Sequence, residues 1–339
     1  MIIASVHDPA IFSPESLAQN GGHLFERLRT MLHGHLLVVD DAGVMGRAMQ
    51  EYLSANINAQ MMVNAVFRNE RIVRVPVDPA RRDKIAQWVG TAGSAEAVAV
   101  SFRDDVDICV TDSQALDAAK VEDFDLARLT TLGHYHETEA WKRENLIFGG
   151  TPLSEFTKKD FLNKIVEPVV HWATSLTIID KMIGKSAFGE ENNTVGQPSR
   201  NWRSFRETLK TIFDKWNAGP FADKYPIRII TEEVDYYDPE GRGVWGDEQA
   251  AELAKRLSIR TDRVKIALKS HAQVKHLNHD RYLRTNHDFV IGITRGFDLY
   301  EADQKLRNAD VYLRKAKTKS DILIELMNGE SVGVFPPKT

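Results

Sequence analysis

The stretch His279-Asp280-Arg281-Tyr282-Leu283-Arg284-Thr285-Asn286, continued by Phe289-Val290-Ile291-Gly292-Ile293, decides how the second half of this chain is read. Two strand-like runs flank the polar tetrapeptide Thr285-Asn286-His287-Asp288, the pattern of a β-hairpin. Residues i and i+2 of a strand share a face, so His279 and Arg281 are expected to project together. Asn286 completes an H-x-R-x4-N pattern, and Gly296 in Arg295-Gly296-Phe297-Asp298 permits a sharp bend. An imidazole beside a guanidinium suits an anion, because the guanidinium offers a planar fork of donors to phosphate. The plainer alternative is a solvated hairpin whose His279 and Arg281 pair with Asp280 and Asp298.

Working outward, Thr157 to His171 carries an apolar stripe at Phe161, Ile165, Val169 and Val170, as a helix does. Leu176-Thr177-Ile178-Ile179-Asp180 reads as a strand followed by the bases Lys181 and Lys185. A helix is expected over Trp202 to Phe213. Arg200 and Arg203 at its start would reinforce the attraction of its dipole for phosphate, or else form a basic surface turn. Ile227 to Thr231 is a strand, Asp247 to Leu257 a helix, and Val264 to Lys269 alternates as a half-buried strand does. Over about residues 157–328 this order resembles the phospholipase D-like C-terminal domain of MIT-domain proteins. There an H-D-R strand with an aspartate five residues on precedes a G-[RK]-G-[LF]-D-x-[FY] segment. Here that segment is Thr294-Arg295-Gly296-Phe297-Asp298-Leu299-Tyr300, with Asn286 at the aspartate position. Asp310-Val311-Tyr312-Leu313-Arg314 and Asp321-Ile322-Leu323-Ile324 resemble its closing strands. Phospholipase D enzymes use H-x-K-x4-D with His as nucleophile, so Arg281 and Asn286 both depart from the catalytic pattern. The resemblance implies a phosphate-binding α/β domain over 151–339, with His279, Arg281, Asn286, Arg203 and Lys181 facing the ligand. An anionic phospholipid headgroup is among the ligands it implies.

Residues 1–150 alternate short apolar runs (Ile2–Val6, Leu36–Val39, Val106–Val110) with amphipathic segments at Val44–Leu53, Pro79–Val89 and Ser94–Phe102. That rhythm argues for a parallel sheet with helices on both faces. Ligands of such sheets collect at the carboxyl ends of the strands, where Asp8 and Asp112 fall. Glu51 on the second segment and Glu96 at the start of another complete a set of four acids. Carboxylates converging on one crevice require a cation, and oxygen donors suit Mg²⁺ or Mn²⁺. Asp8, Glu96 and Asp112 are the expected ligands, with Glu51 nearby. Acids at strand ends also cap helices, a role open to Asp40 and Asp41 before Val44.

Three passages resemble PIN-like nucleases. These are Gly93-Ser94-Ala95-Glu96-Ala97-Val98-Ala99, Val106-Asp107-Ile108-Cys109-Val110-Thr111-Asp112-Ser113, and the Leu37–Asp41 strand before a helix with Glu51-Tyr52. The resemblance covers about residues 1–125 and implies metal-dependent cleavage of RNA or DNA by Asp8, Glu51, Glu96 and Asp112. A nuclease joined to a phosphate-recognition domain suits a bacterial toxin or phage-defence effector. The alternatives are a non-catalytic binding protein and a homodimer using His279 as nucleophile. His134 and His136 form an H-x-H pair read as a linker or a metal pair. The 339 residues carry a formal net charge of -4, with 42% hydrophobic and 27% charged residues, so an anion site must be a local patch. The single cysteine, Cys109, lies in an apolar run and is expected to be buried. No apolar stretch reaches transmembrane length and the N-terminus lacks a signal pattern, which makes a cytoplasmic location the expectation.

Overall fold

The computed structural model describes residues 3–18, 35–54, 57–58, 60–61, 64, 72–80, 83, 98, 102, 106–111, 129–142, 151–152, 157–189, 197–221, 225–257, 259–277, 281–287, 289–294, 297, 310–315 and 326–337. The chain is α/β and divides into two compact units, Met1–Leu146 and Ile147–Thr339.

In the first unit the strands are β1 (Ile3–His7), β2 (His35–Asp40), β3 (Ile72–Val75), β4 (Ile108–Thr111) and β5 (Leu129–Thr131). They pair in the order β3-β2-β1-β4-β5, every pair parallel. β1 and β4 are buried at every position, in keeping with mainly apolar runs that do not alternate with charged residues. Helix α1 (Val44–Leu53) turns Met45, Met49 and Leu53 inward and packs against the 3₁₀ turn Pro9–Phe12 that follows β1. Of the helix expected over Ser94–Phe102, Val98 and Phe102 are described; both are helical and fully buried. Cys109 is buried as expected, and burial pushes its thiol well up, with the charge of Asp8 adding to the effect.

The second unit has, in chain order, β6 (Thr151–Pro152), helix α2, β7 (Leu176–Ile179), α3 (Met182–Phe188), α4 (Trp202–Asn217), β8 (Ile227–Glu232), α5 (Gly246–Arg256), β9 (Val264–Lys269), α6 (His271–Val274), β10 (Arg281–Thr285), β11 (Phe289–Ile293), β12 (Asp310–Lys315) and β13 (Gly333–Phe335). Helix α2 runs from Lys158–Phe161 through a π turn at Leu162–Val166 to Glu167–Val170. The π turn sits just before Pro168, which has no N–H to give the regular ladder. The sheet order is β13-β9-β8-β7-β10-β11-β12-β6, with β7, β8 and β9 parallel and the other pairs antiparallel. One residue from each of β7 to β11 (Ile179, Ile230, Ala267, Tyr282 and Val290) builds a core on one face, closed by Val274, Leu277 and Leu326.

Two expectations are corrected. β9 is not half-buried: only Lys265 is exposed, because Val274, Leu277 and Leu326 cover the face bearing Ala267. Its Lys269 is fully buried and donates to the carbonyls of Gly329 and Glu330 at 2.5 and 2.9 Å. Helix α4 continues past Phe213 to Asn217, because buried Trp216 donates its indole N–H to Ala173 O at 2.7 Å.

Candidate functional site

In the parallel sheet of the first unit the strand order reverses at β1, with β2 on one side and β4 on the other. Ligand crevices of open α/β sheets form at such a switch point, beyond the carboxyl ends of the strands. Asp8 stands there, directly after β1, and is fully buried. Its backbone N–H donates to Val110 O at 2.8 Å, extending the β1–β4 pairing by one step. Its Oδ1 accepts from Ala10 N at 3.0 Å, capping the 3₁₀ turn, and its Oδ2 accepts from the Thr111 hydroxyl at 2.8 Å. Thr111 is the last residue of β4, and Asp112 follows it. Buried His7 and Ser5 line β1 behind Asp8, their Nε2 and Oγ 3.5 Å apart.

The other acids separate by role. Glu51 is exposed on α1, two residues from both Met49 and Leu53 and so on the opposite side of the helix from the core stripe. Asp40 caps α1: its carboxylate accepts from Val44 N at 2.7 Å and Met45 N at 2.8 Å, the helix-capping alternative. Glu96 and Asp112 lie outside the described residues, and among the described residues no three His, Cys, Asp or Glu side chains gather as a metal site. The H-x-H pair is in a turn after β5, not on a strand. His134 Nδ1 meets the Thr131 hydroxyl at 3.0 Å, and exposed His136 lies 3.6 Å from Glu137.

In the second unit the hairpin forms as β10 and β11, with Arg281 opposite Ile293. His279 lies outside the described residues. Arg281, expected beside His279 in a basic pocket facing a phosphate, is engaged inside the fold. Tyr282 pairs with Ile179 of β7, so the register sets Arg281 across from Asp180. Arg281 Nε lies 2.5 Å from Asp180 Oδ1, with 5% of the arginine side chain exposed and none of the aspartate. The guanidinium acts on the carboxylate mainly through its charge, with a side-chain hydrogen bond adding to the effect. Asp180 also accepts from Met182 N at 2.8 Å and Phe297 N at 3.1 Å. Burial pushes its carboxyl up, while the guanidinium and the two amides pull the other way. A neutral acid here would leave the buried guanidinium uncompensated, so the pair is ionic.

Asn286 is also engaged within the fold. Its Oδ1 accepts from Thr174 N at 2.8 Å and Ser175 N at 3.1 Å, while His287 Nε2 donates to Trp172 O at 2.8 Å. The turn is thereby fastened to the segment before β7. Arg203 is 83% exposed on α4 and pairs with Glu207 at 3.3 Å, as i,i+4 partners on a helix surface do. Lys181 is half-buried at the start of α3, next to Asp180. The ligand set expected from the hairpin is therefore divided between an internal ion pair, a turn fastener and a surface pair.

The residues that sequence reasoning passed over are Thr111, Glu232 and His271. Buried Glu232, the last residue of β8, has Oε1 2.7 Å from His271 Nδ1 and Oε2 3.5 Å from Lys185 Nζ. A Glu closing an apolar strand was the available signal for this group; its pairing with a residue nearly forty positions on was not visible. Neither a protein-family model nor a curated protein sequence matches the chain.

Proposed function

We propose that the first unit is a PIN-like, metal-dependent nuclease that hydrolyses phosphodiester bonds of RNA or DNA at the β1–β4 switch point. The observation that carries this reading is the position of Asp8. It is buried at the carboxyl end of β1 and bonded to Thr111, the residue before Asp112. Asp8, Asp112 and Glu96 are the residues that would hold Mg²⁺ or Mn²⁺, and Glu51 belongs to the helix packed on the turn after Asp8. The fit is one of donor chemistry: hard cations take carboxylate oxygens, and a carboxylate has about four acceptor sites, more than the bonds from Ala10 and Thr111 use. The bound ion supplies an activated water near neutral pH. The chain's own part is to fix the Asp8 carboxylate in a buried frame. The Ala10 amide and Thr111 hydroxyl hold the carboxylate before any ion arrives.

The second unit is read as a phospholipase D-like phosphate-recognition domain, and the pairing as a toxin or phage-defence effector. The burial of Arg281 against Asp180 occupies the guanidinium within the fold, which speaks against catalysis at the H-x-R strand. The test is cleavage of labelled single-stranded RNA and DNA by the full chain. Cleavage is expected with Mg²⁺ or Mn²⁺, none in EDTA, and none by Asp112→Asn, which folds normally. Cleavage equal in EDTA and Mg²⁺ would overturn the reading.

A further inference from the structure

We propose that the carboxyl ends of β7, β8 and β9 form a phosphate-monoester site in which His271 and Lys185 face the ligand and Glu232 is a positioning residue. This rests on the reading of the second unit as a phosphate binder and moves the binding groups away from the H-x-R strand. These three strands are parallel, so their carboxyl ends share one edge, marked by Asp180, Glu232 and Lys269. Asp180 is taken up by Arg281, and Lys269 by the carbonyls of Gly329 and Glu330. Glu232 instead directs two cationic side chains toward the rim. Its own side chain is 5% exposed, while that of Lys185 is 23% and that of His271 75% exposed. Lys181 stands one helical turn before Lys185 and is half-buried.

The imidazole is oriented from both ends. The Ser270–Gln273 capping box fixes the backbone of α6, with Gln273 Oε1 accepting from Ser270 N at 2.9 Å. Nδ1 faces the Glu232 carboxylate at 2.7 Å, and a carboxylate only accepts, so Nδ1 carries a hydrogen. In the neutral ring Nε2 is then an acceptor, and among the described residues it has no hydrogen-bond partner. The chemistry of this rim selects one ligand class. A carboxylate or phosphodiester has no proton to give Nε2. A phosphate monoester loses its second proton near pH 6, so around neutrality it offers both a P–OH for Nε2 and anionic oxygens for Lys185. Gly184 lets α3 approach this edge closely, its N–H donating to the Thr231 hydroxyl at 3.0 Å.

The test uses the full chain in EDTA, with histidine ring nitrogens observed by ¹H–¹⁵N NMR during titration with inorganic phosphate. The His271 signals are expected to shift saturably with phosphate and not with dimethyl phosphate, a diester. Lys185→Ala is expected to weaken binding at least about tenfold, the loss of a bond to a charged group. Glu232→Gln is expected to shift the ring from the Nδ1–H toward the Nε2–H tautomer, which a merely structural role would not move. A 5′-phosphorylated oligonucleotide that competes with inorganic phosphate where its 5′-hydroxyl counterpart does not would identify nucleic-acid ends as the source; competition by neither leaves free phosphate as the ligand. An unshifted His271, or the same shift with dimethyl phosphate or in Lys185→Ala, overturns the proposal. If phosphate then shifts other signals of the second unit, only this location is wrong; if it shifts none, the phosphate-binding reading falls with it.

Discussion

Replacing Arg281 by Met should destabilise the second unit severely, and more so as pH rises. The guanidinium is the charge partner of a carboxylate with no solvent exposure, at an Nε–Oδ1 distance of 2.5 Å. Without it Asp180 keeps, among the described residues, the amides of Met182 and Phe297. Removing one member of a buried ion pair costs about 3–5 kcal/mol. At about 2–4 °C per kcal/mol for a unit of this size, the unfolding temperature should fall by roughly 6–20 °C. The pH dependence has a definite sign. Burial holds the Asp180 carboxyl above its ordinary value and Arg281 opposes that, so the variant's carboxyl lies higher still. A carboxyl raised in the folded state contributes stability below its unfolded value, about pH 4, and loses it as pH rises through the folded value. Arg281→Met should thus be nearest to wild type in acid and fall furthest behind at neutral pH. Asp180→Asn combined with Arg281→Met should recover most of the loss, since no charge is left unpaired. Urea and thermal unfolding across that pH range measure all three chains. A variant as stable as wild type at neutral pH, with phosphate binding lost, would refute the buried pair and return Arg281 to the ligand face.

Asn286→Ala should cost about 1–3 kcal/mol in urea unfolding, because two amides lose their acceptor, while Asn286→Asp should retain most of the stability. Unchanged stability with weakened phosphate binding would instead favour a ligand role. Gly184→Ala should destabilise by about 1–3 kcal/mol or more, since its Cβ would sit 2.5 Å from Glu232 O, a backbone atom that cannot rotate away. Thermal unfolding indistinguishable from wild type would contradict the close approach of α3 to β8. Thr111→Val removes the hydroxyl that holds Asp8 Oδ2 and should raise the Mn²⁺ concentration for half-maximal cleavage by about 10–100-fold. An unchanged metal requirement would separate Thr111 from the site.

Much of the fold was legible because the core strands carry their own signal. The β1, β4 and β7 runs are mainly apolar, and each is a strand buried throughout. The hairpin around Thr285–Asp288 was legible from its polar turn. β9 was misread because alternation reports a solvated face only if nothing else covers it, and Val274, Leu277 and Leu326 come from other segments. The i,i+2 rule speaks of which residues share a face with Arg281 and not of what lies across from it. Asp180 sits a hundred residues earlier, and only the β7–β10 register brings the two together. Asn286 has the same origin, since its partners Thr174 and Ser175 are defined by where the turn lands. The place of Asp8 at the end of β1 was legible because local sequence marks where an apolar run stops; its bond to Thr111 follows from the β1–β4 pairing, which local sequence does not mark.

Diffraction from crystals soaked in Mn²⁺, read at the manganese absorption edge, tests the proposed nuclease centre most directly. One anomalous peak is expected beyond the carboxyl ends of β1 and β4, at bonding distance from carboxylate oxygens of Asp8 and Asp112, and absent in Asp8→Asn. A crystal without that peak, with the Asp112 carboxylate turned to another face of the sheet, would contradict it.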